Sequence, residues 1–535
     1  MWQQNYAPIA NNLSLSALVA ASPIFVLLFL LGVKRKAAWI SSLAGLAMAM
    51  LVAALVYRMP ILQLLSSTAM GAAFGLWPIG WVVFTAVLLY RVTLESGKFE
   101  LLKDSIAHLS DDKRLQVLLI AFAFGAFIEG AAGFGTPVAV AATMLAGLGF
   151  SPFYAAGICL LANTAPVAFG SLAIPITTLA VVTGLPVERL SAGVGRICAP
   201  VSLFIPAYLI LVMSGWKGLR AVFPAAAVCG VVFAFTQFTV SNFISPQLTD
   251  ILSSLASMAA VVVLTRFWTP NDSPKTARAA FPHATRDLLQ AWAPYGLLVI
   301  FVLLWGYKPL QNQLNAQNIL INWPGLHNLI ERMPPVVAKP SGYPAIFNFT
   351  WLSASGTACL LAAFLGSLVV GMSPARFGRT VIHTAKQMAL AELTLAAVLG
   401  LAYVMNYSGA TATLGLAFAA TGMLFPFFSA MLGWLGVFLT GSDTSANALF
   451  GTLQVVTAEK LGMNPVLMAA ANSAGGVMGK MISLTSIAVA AAATSMKRED
   501  ESLLFRFTFK HSVFLASMIG LVVMFYAYVV PSWAP

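Results

Sequence analysis

The sequence predicts an all-α polytopic membrane protein, and composition and hydropathy are the two observations behind this prediction. Apolar residues make up 59% of the 535 residues and charged residues only 9%, which is too few to cover the surface of a soluble protein. Apolar runs of about 18 residues or more recur along the chain, each long enough to cross a hydrocarbon core of about 30 Å. We therefore expect roughly 12 to 14 transmembrane segments, including re-entrant hairpins and broken helices.

The basic residues predict how these segments are oriented. The net charge of +12 does not indicate a nucleic-acid partner, because the Lys and Arg residues lie in short loops between apolar runs. The first run, 13–33, is followed and not preceded by basic residues, which indicates a retained helix with an external N-terminus rather than a signal peptide. The segments expected in the cytoplasm are 34–36, 91–114, 266–286, 376–386 and 497–510. The segment 307–349, rich in Asn and Pro, is expected to form an external loop, and both termini are predicted to be periplasmic.

Two short motifs occur once in each half of the chain, in the same order. FIEG at 127–130 precedes ANTA at 162–165, and FLTG at 438–441 precedes ANSA at 471–474. Together with the topology signals, this duplication favours two inverted-topology repeats within a single membrane transport domain, 1–535. Secondary transporters built this way bind their substrate where broken helices of the two repeats meet near the membrane midplane. The predicted parts are an N-terminal repeat (1–265), a cytoplasmic linker (266–290) and a C-terminal repeat (291–535).

The run 464–496 is predicted to be a broken helix. As one helix it would extend about 50 Å, well beyond the hydrocarbon core. Its centre is rich in residues that disfavour a helix interior, and non-helical backbone at membrane depth needs protein or a water-lined cavity to satisfy its polar groups. The alternative is a closely packed interface of small residues. The binding candidates from the two motifs are Asn163, Thr164, Asn472, Ser473, Gly475 and Gly476.

Lys480 lies near the middle of this run, too far from either end for its side chain to reach an interface. An unpaired charge at that depth costs at least about 3 kcal/mol. Lys480 is therefore expected to face a carboxylate, a cavity or both, with Asp443 as the first partner and Glu129 as the second. The functional interpretation is that Lys480 attracts a substrate carboxylate while a neighbouring acid exchanges a proton. The alternative is a structural ion pair between two helices.

The small residues 130–133, ahead of Pro137, permit a non-helical hairpin whose backbone N–H groups remain available to an anion. Gly133, Gly135 and Thr136 are therefore further binding candidates. Arg196 and Glu392 also have apolar sequence neighbours, but they lie closer to helix ends and are expected to support the site from outside it. Tyr403 and Tyr407 are interpreted either as hydroxyl donors or as aromatic residues of the membrane interface.

The remaining residues give no indication of an enzyme. Each of the four cysteines lies inside an apolar stretch, and the histidines, among them His283 and His511, fall in or near loops. No nucleophile stands beside a base, and no pair of histidines has metal or haem spacing within a membrane segment. We therefore expect no metal, no cofactor and no nucleic acid. The expected partners are membrane lipid, a small-molecule substrate and protons.

Four stretches of the chain resemble the bacterial lactate permease family. They are FIEGAAGFGTPVA (127–139), NTAPVAFG (163–170), TGSDTSANALFG (440–451) and ANSAGGVMGKMIS (471–483). The resemblance implies proton-coupled uptake of L-lactate, often also of D-lactate and glycolate, across the bacterial cytoplasmic membrane. The family more usually continues Pro-Gln-Ser where this chain has Leu484-Thr485-Ser486, and Thr136 and Ser171 stand where Ala is expected.

The resemblance and the residues combine into a hypothesis for the site. The substrate carboxylate is expected at the broken-helix amides of both motifs, assisted by Lys480. Its 2-hydroxyl group is expected to meet Ser442, Thr444 or Asn447, with Ser445 as a further binding candidate in the same stretch. Asp443 or Glu129 is expected to carry the proton. The alternative function is a sodium-coupled carboxylate or dicarboxylate transporter, which is expected to need more than one buried cationic group.

Overall fold

In a computed structural model the chain is almost entirely helical, and the structure describes residues 1–133, 135–272, 284–496 and 500–535. The elements of the first half are β1 (Trp2–Gln3), α1 (Leu13–Ala20), α2 (Ser22–Leu28), α3 (Ala38–Leu55), α4 (Ile61–Phe74), α5 (Trp81–Glu95), α6 (Lys98–Ala107), α7 (Lys113–Gln116), α8 (Gly125–Ala131), α9 (Thr136–Gly147), α10 (Pro152–Ala162), α11 (Gly170–Thr183), α12 (Val187–Phe243) and α13 (Thr249–Phe267). Parts of the predicted linker 266–290, of the basic segment 497–510 and of the motif 127–139, together with His283, lie outside the described residues.

The second half has the same helical character, with short strands in its first part. Its elements are α14 (Thr285–Gly306), α15 (Lys308–Asn315), β2 (Ile319–Asn322), β3 (Ile330–Arg332), β4 (Ser341–Gly342), β5 (Ile346–Phe349), α16 (Ser355–Val369), α17 (Pro374–Ser408), α18 (Ala410–Phe418), α19 (Phe425–Thr440), α20 (Asp443–Leu461), α21 (Pro465–Lys480), α22 (Leu484–Ala493) and α23 (Glu501–Tyr528).

The helices make the chain a multi-pass membrane protein. Within the described ranges, 11 helices are long and apolar enough to cross a membrane, or up to 12 if the pair Pro152–Ala162 and Val167–Thr183, bent by 65°, counts as one span. The helix α12 has 57 residues and would extend about 85 Å if straight. Gly215 interrupts it with φ 65° and ψ −172°, so α12 is long enough for two crossings.

Four interruptions separate consecutive helices in the middle of the bundle. Among the described residues, the breaks lie at Ala132, Gly133 and Gly135 between α8 and α9, at 163–169 between α10 and α11, at 441–442 between α19 and α20, and at 481–483 between α21 and α22. Each half of the chain therefore contains two helix–break–helix units, and three of the four breaks lie at or directly after a duplicated motif. The prediction of broken helices is confirmed.

One predicted break has a different position. Asn472 to Gly476 lie inside the continuous helix α21, and the chain leaves the helix only after Lys480. The glycines serve helix packing instead: a Cβ atom at Gly475 would collide with the backbone of Ala430 in α19. The close approach of α19 and α21 is the small-residue interface that was the alternative interpretation of this motif.

The segment 307–349, here called the cap, is not an open loop. Its strand β3 pairs with β1 in parallel and with β4 in antiparallel orientation, while β2 pairs with β5. Beneath the cap, Tyr403 and Tyr407 are only 6% and 4% exposed, and the Tyr407 hydroxyl donates to the Pro344 carbonyl oxygen at 2.8 Å. Their interpretation as interfacial aromatic residues is therefore wrong, because the cap covers them.

Both chain termini lie at the end of the bundle that carries the cap, here called the cap end. The N-terminal strand β1 is part of a cap sheet. Near the C-terminus, the Pro535 carbonyl oxygen accepts a 2.7 Å hydrogen bond from Asn464 Nδ2. Glu459, close to Asn464 in sequence, is an electrostatic neighbour of Arg332 in the cap.

Candidate functional site

A cavity of about 280 Å³ lies where the four breaks come together. Its size is close to the lower limit of about 300 Å³ for small-molecule pockets. One side is apolar and includes Leu27, Leu31, Leu395 and Val398. The polar side, here called the polar wall, consists of Glu129, Gly135, Gly170, Ser171, Thr440, Gly441, Ser442, Asp443, Thr444, Ser445, Lys480, Thr485 and Ser486.

Besides α11, which starts with a left-handed turn, three helices begin at the polar wall. Gly135 precedes α9, Ser442 precedes α20, and Ser483 precedes α22. The hydroxyl of Ser442 accepts a hydrogen bond from the backbone N–H of Ser445, and that of Ser483 accepts one from Ser486, both at 3.2 Å. Because helix N-termini carry partial positive charge and unsatisfied N–H groups, their convergence favours an anion in the cavity.

Lys480 supplies a full positive charge at the same place. It is the last residue of α21, and its Nζ donates to the Gly441 carbonyl oxygen at 2.9 Å. Within the described ranges, no carboxylate oxygen lies within 4.0 Å of Lys480 Nζ, the limit for an ion pair. Glu129 and Asp443 are nevertheless both electrostatic neighbours of Lys480. The expected direct pair with Asp443 is therefore absent. An ammonium group has three donors, so Lys480 retains N–H groups for a ligand.

Asp443 is the acid of the second half of the chain, and it is 3% exposed. Its Oδ2 accepts hydrogen bonds from Ser473 Oγ at 2.6 Å and from Asn447 Nδ2 at 3.3 Å. Its Oδ1 has no partner in the part of the chain that the structure describes. A Cβ atom at Gly476 would collide with this oxygen, so only glycine leaves room beside it.

A row of buried amides holds Asn447 in place. Asn472 Nδ2 donates to Asn447 Oδ1 at 2.9 Å, and Gln454 Nε2 donates to Asn472 Oδ1 at 3.0 Å. Asn447 Nδ2 also donates to the Pro175 carbonyl oxygen at 3.1 Å, which joins α20 to α11 of the other half. Hydrogen bonds between buried amides of this kind favour one arrangement of the helices around the acid.

Glu129 is the acid of the first half, and it is 4% exposed. Its Oε2 accepts a 2.9 Å hydrogen bond from Asn163 Nδ2, so the second break holds the acid on α8. A Cβ atom at Gly170 would lie 2.6 Å from Glu129 Oε1. Both acids of the polar wall thus have a glycine beside one carboxylate oxygen and an amide on the other.

The start of α11 is a left-handed turn made of residues other than glycine. Ser171, Leu172 and Ala173 have φ values of 46°, 58° and 59°. This conformation costs about 1–2 kcal/mol per residue for L-amino acids. The Ser171 hydroxyl donates to the Ala132 carbonyl oxygen at 2.8 Å, which ties the turn to the first break. Strain of this kind persists only where surrounding contacts enforce it, and here it shapes the cavity.

The structure divides the predicted site residues into three groups. Those on the polar wall are Glu129, Gly135, Ser442, Asp443, Thr444, Ser445 and Lys480. Those behind it are Gly133, Thr136, Asn163, Thr164, Asn447, Asn472, Ser473, Gly475 and Gly476. Of these, Asn163, Asn447 and Ser473 hydrogen-bond the two acids.

The third group, Arg196 and Glu392, does not touch the cavity. Arg196 Nε donates to Asn242 Oδ1 at 2.8 Å and its guanidinium also donates to the Trp533 carbonyl oxygen at 2.6 Å. Glu392 packs against Gly80, and its Oε1 has no partner among the described residues. Arg196 therefore holds the C-terminus, and neither residue supports the acids directly.

Sequence reasoning did not propose Thr485 and Ser486 as binding residues, although both line the cavity. The signal that identifies them is the serine three residues before Ser486, because Ser is a preferred helix N-cap. A helix that begins directly after Lys480 brings its first turn to the same cavity.

Broken helices that meet at a polar cavity inside a multi-pass bundle define a membrane transport protein. The chain belongs to the L-lactate permease family, whose model matches residues 16–530. An L-lactate permease of Bacillus subtilis (strain 168) is 45% identical to it over 99% of both chains. Glycolate permease GlcA of Escherichia coli (strain K12) is 42% identical over 99% of this chain and 98% of its own.

The fold is also similar to that of a solved transporter. The structure of MtrF from Neisseria gonorrhoeae, described as illuminating a class of antimetabolite efflux pumps, matches with a TM-score of 0.50 over 94% of this chain and 97% of its own. The sequence identity is 12%, so this likeness concerns the fold alone.

Proposed function

We propose that the protein imports L-lactate, and with it D-lactate and glycolate, by symport with protons across the bacterial cytoplasmic membrane. The names of its relatives support lactate and glycolate as substrates. The observation that carries the proposal is the position of Lys480 near two buried acids, at a cavity where helix N-termini converge. This arrangement suits one small carboxylate and one proton.

In the proposed complex, the substrate carboxylate lies against Lys480 and the N–H groups at the starts of α20 and α22. Charge-assisted hydrogen bonds are the strongest available to such a ligand. The hydroxyl groups of Ser442, Thr444 and Ser445 line the same wall and are the candidates for the 2-hydroxyl group. Asn447 lies behind the wall and already uses its amide in four hydrogen bonds, so it serves to hold Asp443.

Proton coupling follows from the charges of the site. Moving a monoanion against a negative-inside potential costs about 2.3 kcal/mol per 100 mV, and one accompanying proton removes this cost. In the empty site, ionised Asp443 balances Lys480. In the loaded site, the substrate carboxylate balances Lys480 and the proton neutralises Asp443. Both forms then have the same net charge, and the unpartnered Asp443 Oδ1 is the proposed position of the proton.

Orientation and internal symmetry complete the proposal. We propose that 1–265 and 291–535 are inverted repeats joined by a cytoplasmic linker, and that the cap and both termini are periplasmic. Leu31 and Ala38 of the cavity flank the basic loop 34–36. By the positive-inside rule, the conformation described is then the one whose cavity extends toward the cytoplasm.

The test uses purified protein in proteoliposomes loaded with unlabelled L-lactate. Counterflow of labelled L-lactate is expected to be inhibited by glycolate more strongly than by succinate. Accumulation is expected to follow an imposed pH gradient, to collapse with a proton ionophore and to persist without sodium. Accumulation that requires sodium and ignores the ionophore would contradict proton symport and favour the sodium-coupled alternative.

A further inference from the structure

A third buried acid lies behind the polar wall, on a helix of a candidate membrane span. Asp250 is the second residue of α13, within the candidate span Pro246–Phe267, and its side chain is 0% exposed. Neither carboxylate oxygen has a hydrogen-bond partner among the residues that the structure describes. It is thus the one carboxyl group of these residues with both oxygens buried and unpartnered.

Asp250 packs against the residue that follows Glu129. A Cβ atom at Gly130 would lie 2.7 Å from the Cβ atom of Asp250, so glycine allows α8 and α13 to touch at this point. The titratable groups that face Asp250 are Glu129 from α8 and the Cys198 thiol from α12. In the described part of the chain, no Lys or Arg acts on Asp250.

Asp250 also follows in sequence a segment that is hydrogen-bonded at the cap end. Asn242, eight residues earlier in the chain, accepts the hydrogen bond of Arg196, whose guanidinium holds the Trp533 carbonyl oxygen beside the C-terminus. Arg196 and Asn242 thus tie the segment just ahead of Asp250 to the C-terminus at the cap end.

An ionised Asp250 is costly in these surroundings, above all while Glu129 is ionised as well. Burying an unpaired carboxylate costs several kcal/mol, and a second negative charge on Glu129 adds repulsion. A purely structural aspartate in the first turn of a helix would accept hydrogen bonds from backbone N–H groups, and Asp250 accepts none among the described residues. A bound proton would remove both costs.

We propose that Asp250 is a proton-binding residue of the transport cycle, which exchanges its proton with Glu129 across Gly130. The inference rests on the proposed proton symport and adds a residue to its pathway. In the exchange, the O–H bond of Asp250 breaks and one forms on the Glu129 carboxylate, so the pair keeps one proton and one negative charge throughout. Protons from the cap end reach the cavity through this pair, while the substrate need not pass Asp250.

Asp250→Asn tests the proposal because it keeps the shape of the side chain and removes the proton site. We expect counterflow of labelled L-lactate, which needs no net proton movement, to stay within about two-fold of the unmodified protein. We expect the variant to lose the roughly ten-fold accumulation that one pH unit supports. Asp250→Glu is expected to restore part of it. Ser253→Ala is the matched control on the same helix, since the Ser253 hydroxyl is buried and, among the described residues, bonds only the Thr249 carbonyl oxygen of its own helix.

Three outcomes would overturn the proposal. If the Asp250→Asn variant accumulates L-lactate normally and its lactate-driven proton uptake is unchanged, Asp250 carries no proton. Loss of counterflow and accumulation together, in protein that is inserted at normal levels, shows a structural role. Accumulation by the unmodified protein that depends on sodium contradicts the proposed function itself, and this result is obtained before any variant is made.

Discussion

Asp443 accepts a 2.6 Å hydrogen bond from Ser473 through Oδ2, whereas its Oδ1 lies against Gly476 and has no hydrogen-bond partner among the described residues. One oxygen of the acid is thus fixed by α21 and the other is free to bind a proton. The helix α21 ends four residues after Gly476, at Lys480. It therefore connects the proposed substrate-binding charge to the proton site.

Gly476→Ala is predicted to abolish most transport. The added methyl group would collide with Asp443 Oδ1 and would lie 2.8 Å from Val437 Cγ2, so the acid must leave its position. Uptake of L-lactate in cells is expected to fall by about ten-fold or more. Overpacking destabilises the folded arrangement by about 1.4 kcal/mol or more, which corresponds to a factor of about ten in an equilibrium constant. Gly147→Ala in α9 is the matched control, because a Cβ atom there meets no atom within 4 Å. Equal uptake by both variants would contradict the role of the glycine.

Lys480→Met is predicted to weaken substrate binding while the protein stays folded. The change keeps the apolar stem and removes a charge-assisted hydrogen bond, worth about 1.5–3 kcal/mol, so the apparent KM for L-lactate is expected to rise about ten-fold to 100-fold. Lys460→Met, at the exposed end of α20, is expected to leave the KM unchanged. An unchanged KM in Lys480→Met would remove this residue from the binding site.

Ala173→Gly is predicted to stabilise the conformation described here. Ala173 has a φ of 59°, and glycine adopts this conformation without the cost of about 1–2 kcal/mol that an L-residue incurs. The protein in detergent is expected to unfold at a higher temperature. In contrast, Ala180→Gly in the regular part of α11 is expected to destabilise it by about 1 kcal/mol. Destabilisation of similar size in both variants would show that the left-handed turn is not strained.

The sequence predicted those parts of the site that are marked by small residues or by a charged residue within an apolar segment. The small residues before Pro137 indicated the first break, and the position of Lys480 in a long apolar run indicated a cavity. The fourth break was misplaced, because Gly475 and Gly476 have the same sequence signature whether a helix ends there or packs closely against another.

Other features depend on contacts between distant segments. The left-handed turn at Ser171–Ala173 contains no glycine, so no local signal marks it. Tyr403 and Tyr407 are buried because the cap, more than 50 residues away in sequence, folds over them. Asp250 follows a polar stretch that resembles an ordinary loop end, and only the packing of α13 on Gly130 places it beside Glu129.

The central claim is that a proton on Asp443 accompanies each substrate anion, and one comparison tests it most directly. Asp443→Asn in proteoliposomes is assayed for L-lactate counterflow and for accumulation driven by a pH gradient of one unit. The account predicts that counterflow continues and that the roughly ten-fold accumulation disappears. Accumulation against the gradient at the unmodified rate would contradict it.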